Sequence, residues 1–548
     1  MESKSTCTLS ESLERLKKRK QELDTLFVKS RSRQRTSIVG SRNLNTDNVP
    51  PEFSQKSESD HKFHKELVDV SQDLESSWDS QKLMESLRSF RQILLARTST
   101  KTKRFYSEEF KQIASGRTNL KSVKKHLQSY KDLYHFMLKQ QPVTAMTIRH
   151  EYFSSIRTRY FDHFSKIECK YHETLGEGDV ISNKICQFCF SLNGRDRIFC
   201  EEELEFNVLK LEHKFKAIQQ SLTGISYNEY KFIQELFLKS EKGTGDLLKL
   251  VIEPCLKHLE KDLLSDIDAC FDVIGLLLSH QLMMMYKIKY QNMIKIFDEY
   301  WTSLEEKLLE RFKYTMGLHI LSLDDVTQCW FSNDDGVHYI SIRYAKLSSS
   351  IQHIISHTQN NSYVITQLCE DLFQTTQEYL VKLSELFEEE RQQLIFLINN
   401  YDWILRHIQP NSWEESILRL HFTNKSRDFM DLILNGNFAD MLELVNKSEH
   451  LFRNCMHMEC EAGMKLKMAD AVDAFNVIWR DAVCQVFVDV VECFGKKDVR
   501  PTIMQRTFAK LMDSIAKFYK ILPRYLMFRL PDMNDVYDEL NTYTKDQT

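Results

Sequence analysis

The sequence predicts an all-α protein in which N-terminal amphipathic coiled-coil helices lead into an elongated rod of stacked helical bundles. Three observations carry that expectation. Glycine (14) and proline (8) together make up about 4% of 548 residues, roughly a third of ordinary usage. Sandwiches, small barrels and doubly wound sheets need these residues every few connections, so such folds are excluded. Apolar residues recur at steps of three and four along most of the chain, the helical period, and no alternating run flanks a hairpin turn. The 73 residues between Gly336 and Pro410 contain neither chain breaker.

Taken in order, Leu13, Leu16, Leu23, Leu26 and Phe27 form an approximate heptad stripe on a short amphipathic helix, residues 1–28. Residues 29–60 are rich in Ser, Arg, Asn and Gln, hold Pro50 and Pro51 and lack periodicity, which predicts a disordered basic and polar linker. In residues 61–115, Leu67, Val70, Leu74, Trp78, Met84, Leu87, Phe90 and Leu94 mark one apolar seam with a phase slip, on an amphipathic coiled-coil helix suited to assembly. Such seams need partner helices. Leu13, Leu16, Leu23, Leu67, Val70, Leu74, Met84, Leu87 and Leu94 are therefore the candidate partner-binding residues.

Residues 118–525 are expected to form the helical-bundle rod. After Pro142 and Thr144, the residues Ile148, Tyr152, Ile156, Tyr160, Phe164, Ile167 and Tyr171 predict one helix of about seven turns. Gly176, Gly178 and Gly194 among polar residues predict an exposed, Cys-containing excursion at about 175–205. From Val364 to Ile408 the helical register is kept, and 45 continuous helical residues would span roughly 68 Å. A last helix opens at Pro501 and stops before Pro523, leaving 526–548 as a tail.

Lys plus Arg (74) against Asp plus Glu (78) gives a net charge of −4 with both signs interleaved, so no long-range field gathers nucleic acid. The basic stretch at Lys29, Arg31, Arg33 and Arg35 has no interleaved aromatic on which bases could stack and reads as a solvated, phosphorylatable linker. Thirteen cysteines without a spaced framework point to free thiols in a reducing compartment. Met1–Lys20 is too charged for a signal peptide. The most apolar window, Cys270–Tyr286, falls short of the ~20 residues that a bilayer requires. Any membrane association is expected to be indirect.

No catalytic signature emerges, and neither an enzyme nor a cofactor is expected. Gly243 and Gly245 lack a preceding strand and a third glycine, and no Gly-Lys-Ser/Thr loop occurs. His150-Glu151 and His172-Glu173 have Ser154 and Gly176 where a zinc protease needs its second histidine. No strained-serine elbow is present. One cluster has metal-ligand spacing: Cys169 and His172, then Cys186 and Cys189, with Cys200 beyond. Two close pairs can converge on tetrahedral Zn²⁺. Cys169 and His172 end a strongly periodic helix, however, and the simpler reading is loop thiols and helix-end residues. Cys455, His457 and Cys460 alternate along a helix and point to different faces.

Four stretches together resemble the vacuolar protein sorting-associated protein 52 family, a subunit of the Golgi-associated retrograde protein complex. They are TNLKSVKKHLQSYKDLYHFMLKQQPVTAMTIRHEYFSSIRTRYFDHF (118–164), FDEYWTSLEEKLLERF from Phe297, HYISIRYAKLSSSI from His338 and QQLIFLINNYDWIL from Gln392. Their order and spacing agree with the family over about residues 118–525, and the Cys-bearing excursion is a departure from its pattern. The resemblance implies a non-enzymatic subunit of a multisubunit tether that captures endosome-derived carriers at the trans-Golgi network. It also implies a cytoplasmic protein, peripheral on trans-Golgi network and endosome membranes. Its implied partners are vacuolar protein sorting-associated proteins 51, 53 and 54, with syndetin replacing the last in the endosomal version; Rab-type GTPases and SNARE proteins come second. The rival readings are a subunit of another helical-rod tether, such as the exocyst or the oligomeric Golgi complex, a plain coiled-coil scaffold, and a zinc-dependent enzyme or regulatory factor using residues 169–200.

Overall fold

The computed structural model describes residues 81–174, 192, 194–199, 210–237, 241–290, 295–323, 336–358, 363–453, 462–495 and 497–545. Among them every regular element is helical and no strand occurs, as the scarcity of turn formers requires. The chain divides into two compact units, Met1–Arg97 and Thr98–Thr548. Of the first unit, only the opening of helix α1 (Gln81–Ser115) is described.

In the second unit α1 stops at Gly116, whose φ of +69° is open to glycine at little cost. Helix α2 (Leu120–Ser129) then starts on Asn119, whose side chain accepts the Lys121 N–H, an ordinary N-cap. Helices α3 (Lys131–Gln140) and α4 (Pro142–Thr174) follow, with proline at the first position of α4, where its missing N–H is not needed. The stripe Ile148, Tyr152, Ile156, Tyr160 and Phe164 is buried throughout, and the 33-residue helix that carries it runs for about nine turns, longer than the seven its period predicts.

A 3₁₀ turn (Arg195–Phe199) precedes α5 (Leu211–Leu236), α6 (Glu241–Ala269), α7 (Val273–Tyr290) and α8 (Asp298–Leu321). Helix α5 is the hub, packing on α2, α3 and α4 before it and on α6 and α7 after it. Next come α9 (Tyr339–Thr358), α10 (Tyr363–Ser384) and α11 (Glu390–His407). α9 packs on α7 and α10 on α8, so each layer of helices is covered by the next. Helices α12 (Trp413–Arg453), α13 (Ala462–Phe494) and α14 (Arg500–Ile521) complete the succession. α12 bends at Phe438, which leaves helical geometry (φ −134°, ψ 38°) and buries its ring. The gain is apolar burial against Phe475, 6.2 Å away between ring centres.

Two expectations need correction. The segment from Val364 to Ile408 is not one continuous helix: α10 ends at Ser384 and α11 begins at Glu390. Phe387 turns into the core, and its carbonyl accepts a hydrogen bond from Gln393 Nε2 at 2.9 Å. Folding back lets α10 and α11 bury their apolar faces on each other and on α8 and α9. That burial outweighs the few ladder hydrogen bonds that a continuous helix would keep. Nor is the stretch after residue 525 a bare tail. The single turn α15 (Arg524–Met527) leads to α16 (Met533–Lys545), which packs on α13 and α14 and buries Val536 and Leu540.

Candidate functional site

The candidate partner-binding residues divide by where they fall. Leu13, Leu16, Leu23, Leu67, Val70 and Leu74 lie outside the described residues. Met84 and Leu87 belong to α1, and Leu94 on the same helix is half-buried beside an exposed Ile93. Of the zinc-spaced residues, Cys169 is an exposed free thiol on α4. His172 is in the last turn of that helix, and Cys186 and Cys189 lie outside the described residues. Cys455, His457 and Cys460 lie outside them too. Among the described residues, no cluster of three His, Cys, Asp or Glu side chains could hold a metal ion, and no helix is long and apolar enough to cross a membrane.

What the second unit does contain is a series of buried polar joints between layers. The fully buried Glu229 on α5 accepts hydrogen bonds from the Tyr152 hydroxyl at 2.7 Å, the Tyr160 hydroxyl at 2.5 Å and Lys124 Nζ at 2.5 Å. Three helices, α2, α4 and α5, thus meet on one carboxylate. Burial, with the carboxylate beside them, pushes both phenols well above their usual range, so they stay protonated donors. On the same hub helix Lys214 bridges Asp262 (2.6 Å) and Asp266 of α6. Burial alone would lower its pKa, but the two carboxylates hold it above the ordinary value.

A third joint forms where the 3₁₀ turn meets α5 and the start of α7. Arg195 Nε lies 2.7 Å from Glu212, and its Nη2 lies 2.8 Å from Asp272. Gly275 packs against them closely enough that an added Cβ would stand 3.0 Å from the guanidinium and 3.1 Å from Glu212. Further along, Gln219 accepts from Trp301 Nε1 (3.1 Å) and donates to the Tyr300 hydroxyl (2.7 Å). Glu414 at the start of α12 accepts from Ser348 of α9 at 2.7 and 2.9 Å, and burial raises its pKa. Asn400 of α11 accepts from the His338 N–H and the Ser341 hydroxyl, tying the start of α9 to α11.

These joints position helices. Burial pushes the Cys255 and Cys369 thiols up to about 12, the opposite of activation. Burial likewise pushes His280 down to about 4 and His319 to about 3, with Arg343 contributing at His319, and both rings are neutral at pH 7. Sequence reading places Tyr152 and Tyr160 in an apolar stripe and overlooks their hydroxyls. The available signal is tyrosine, rather than Phe or Leu, at two positions facing the core.

Residues 199–432, from the end of the 3₁₀ turn into α12, match the family model described as Vps52, C-terminal. The vacuolar protein sorting-associated protein 52 homolog of Homo sapiens is 23% identical over 475 residues, covering 80% of this chain and 65% of the relative. By these matches the chain is similar to the vacuolar protein sorting-associated protein 52 family. Vacuolar protein sorting-associated protein 52 B of Arabidopsis thaliana is 27% identical over 302 residues, 51% of this chain and 40% of the relative. The Caenorhabditis elegans homolog is 22% identical over 448 residues, covering 73% and 63%. The chain therefore spans about 65% of the length of the mammalian relatives that it matches. Among solved structures, S. cerevisiae Exo70 overlaps it with a TM-score of 0.49 at 9% identity, over 90% of this chain and 94% of that one. Of the joint residues, Lys214, Gln219, Glu229, Trp301, Asn400 and Glu414 fall inside the region matched by the family model.

Proposed function

We propose that this chain is a non-enzymatic subunit of a multisubunit vesicle-tethering complex that acts in retrograde transport from endosomes to the trans-Golgi network, and in endosomal recycling. The observation that carries this reading is the similarity to vacuolar protein sorting-associated protein 52 homologues over four fifths of the chain. The physical character of the second unit is consistent with it. Successive helical layers, each locked to the next by buried polar pairs, resist deformation, and a protein that holds two bodies together needs that resistance. Complex formation is assigned to the seam Leu67, Val70, Leu74, Met84, Leu87 and Leu94, with Leu13, Leu16 and Leu23 as a weaker second contact. Burying each large apolar side chain is worth ~1.5–3 kcal/mol and requires partner helices. The partners are then vacuolar protein sorting-associated proteins 51, 53 and 54 or syndetin, with Rab-type GTPases and SNARE proteins engaged by the assembled complex. The chain would be peripheral on trans-Golgi network and endosome membranes.

The test is affinity purification followed by mass spectrometry, comparing the unaltered chain with the triple variant Leu67→Asp, Leu74→Asp, Leu87→Asp. The variant should lose its partners and its Golgi staining while the far-ultraviolet dichroism stays almost unchanged. Full partner recovery by the variant would refute the assignment of assembly to the seam. Recovery of exocyst or oligomeric Golgi complex subunits instead would move the chain to another tether.

A further inference from the structure

Helix α11 packs against both α10 and α12 and holds them apart. An open groove of about 990 Å³ remains between those two helices. Its floor holds Phe373, Gln377, Tyr401, Trp413 and Ile417, with Phe373 edge-on to Trp413 at 5.1 Å and Tyr401 beside His421 at 5.9 Å. The lining residues recur every three or four positions from Glu370 on α10 to Glu385 just past its end, and from Trp413 to Asp428 on α12. The groove therefore follows about four turns of each helix, roughly 22 Å.

Gln377 is the unusual member. It is 7% exposed, and among the described residues neither its amide oxygen nor its amide nitrogen has a protein hydrogen-bond partner. A buried amide left unpaired on both sides costs free energy in the empty protein. Gln377 lines the groove, and the last side-chain torsion of glutamine is broad, so its amide can be set to suit a partner there. What satisfies them must offer one donor and one acceptor side by side. A docked helix cannot, because its main-chain groups are paired internally. An extended peptide can, as an added strand does, and 22 Å accommodates about seven of its residues.

The rim sets the charge of the occupant. Glu370, Glu378, Glu385 and Asp428 face Lys382 and Lys425, and Lys425 lies 3.7 Å from Asp428. Among the described residues, none of Glu370, Glu378 and Glu385 stands within ion-pair distance of a cation. His421 adds no charge at neutral pH, because burial and Lys425 lower its pKa. The groove is apolar along its floor and acidic along its rim.

We propose that this groove binds an extended basic segment of a partner protein, about seven residues long. Its apolar side chains would rest on Trp413 and Ile417, its Lys or Arg side chains would face Glu370, Glu378 and Glu385, and its main chain would pair with the Gln377 amide. The proposal does not rest on the tether reading and stands or falls separately from it.

The test uses the complete chain and a fluorescein-labelled peptide, Arg-Val-Arg-Val-Arg-Val-Arg, followed by fluorescence anisotropy at low and at 0.5 M salt. Saturable, salt-sensitive binding is expected. Gln377→Leu should weaken it about tenfold while thermal stability is unchanged or raised, since an unpaired amide has been removed. The pair Glu378→Gln and Glu385→Gln should weaken binding about tenfold and flatten its salt dependence. If Gln377→Leu fails to fold, Ile417→Asn, at a position 38% exposed, replaces it and should weaken binding comparably, since it removes the apolar contact without adding charge. Any of four results overturns the proposal: no saturable binding, equal binding of the matching Glu-Val peptide, preference for a helix-forming basic peptide, or indifference to the floor substitution. Sedimentation showing a dimer that Ile417→Asn disperses would also overturn it, by making a second copy the occupant.

Discussion

Glu229 joins three helices, so replacing it by glutamine tests whether the joints hold the layers together. The shape is nearly kept, but one accepting oxygen becomes a donor and the negative charge is lost. Lys124, with only 12% of its side chain exposed, then has no counter-charge, and the Tyr152 and Tyr160 hydroxyls compete for one oxygen. Breaking a buried pair from one side typically costs 3–5 kcal/mol. The Lys124 ammonium keeps some stabilisation from the Phe232 ring, 5.1 Å away, so a loss of about 3 kcal/mol is expected. Lys124→Met should cost less, because Glu229 retains its two phenol donors. The double variant should be more stable than the sum of the singles predicts by about 1.5 kcal/mol or more, because neither charge is stranded. Native-state hydrogen exchange of amides in α2, α4 and α5 measures this locally, without assuming that a chain of this size unfolds in two states. A cost below about 1 kcal/mol for Glu229→Gln, or strict additivity, would refute the view that the carboxylate holds these helices together.

Three further outcomes follow from the same geometry. His280 and His319 are pushed below the ordinary imidazole value, so below about pH 6.5 the unfolded chain binds protons that the folded one refuses. Stability should therefore be full at neutral pH and fall as the pH drops toward 4, by on the order of 2 kcal/mol per histidine at pH 5; thermal unfolding at pH 7 and pH 5 checks this, and His280→Leu should flatten the difference. Gly275→Ala should destabilise by about 1–3 kcal/mol, because its methyl group meets the Arg195–Glu212–Asp272 cluster at 3.0–3.2 Å; urea unfolding that leaves the midpoint unchanged would show that the cluster yields at no cost. Lys214→Ala, which removes the cation shared by Asp262 and Asp266, should cost about 3 kcal/mol at pH 7 and less under acid conditions, where a carboxyl can take up a proton.

Helical class, the α4 stripe from Ile148 to Tyr171 and the Pro501 helix start are local properties. Period, capping and chain breakers act within a few turns, so one stretch of sequence is enough to read them. The joints are different in kind. Tyr152 and Ile156 look alike as members of a stripe, and only the approach of Glu229, 77 positions later, makes one of them a hydrogen-bond donor at a junction. Gln377 and Trp413 look like an ordinary helix residue and a helix start until α11 sets them together in one groove.

The amino-acid sequence by itself determined that the chain is helical, which faces of its helices are apolar, and which family it resembles, because each of these is written in residue spacing. Tertiary structure alone decided that the helix expected from Val364 to Ile408 folds back after Ser384, that Phe438 bends α12, and that Lys124, Tyr152, Tyr160 and Glu229 share one contact. The physical reason is the same in each case. A helix gains little from one more turn of its own ladder, whereas burying an apolar face or pairing a buried charge is worth several times as much, and whether either is possible depends on residues far away in the chain.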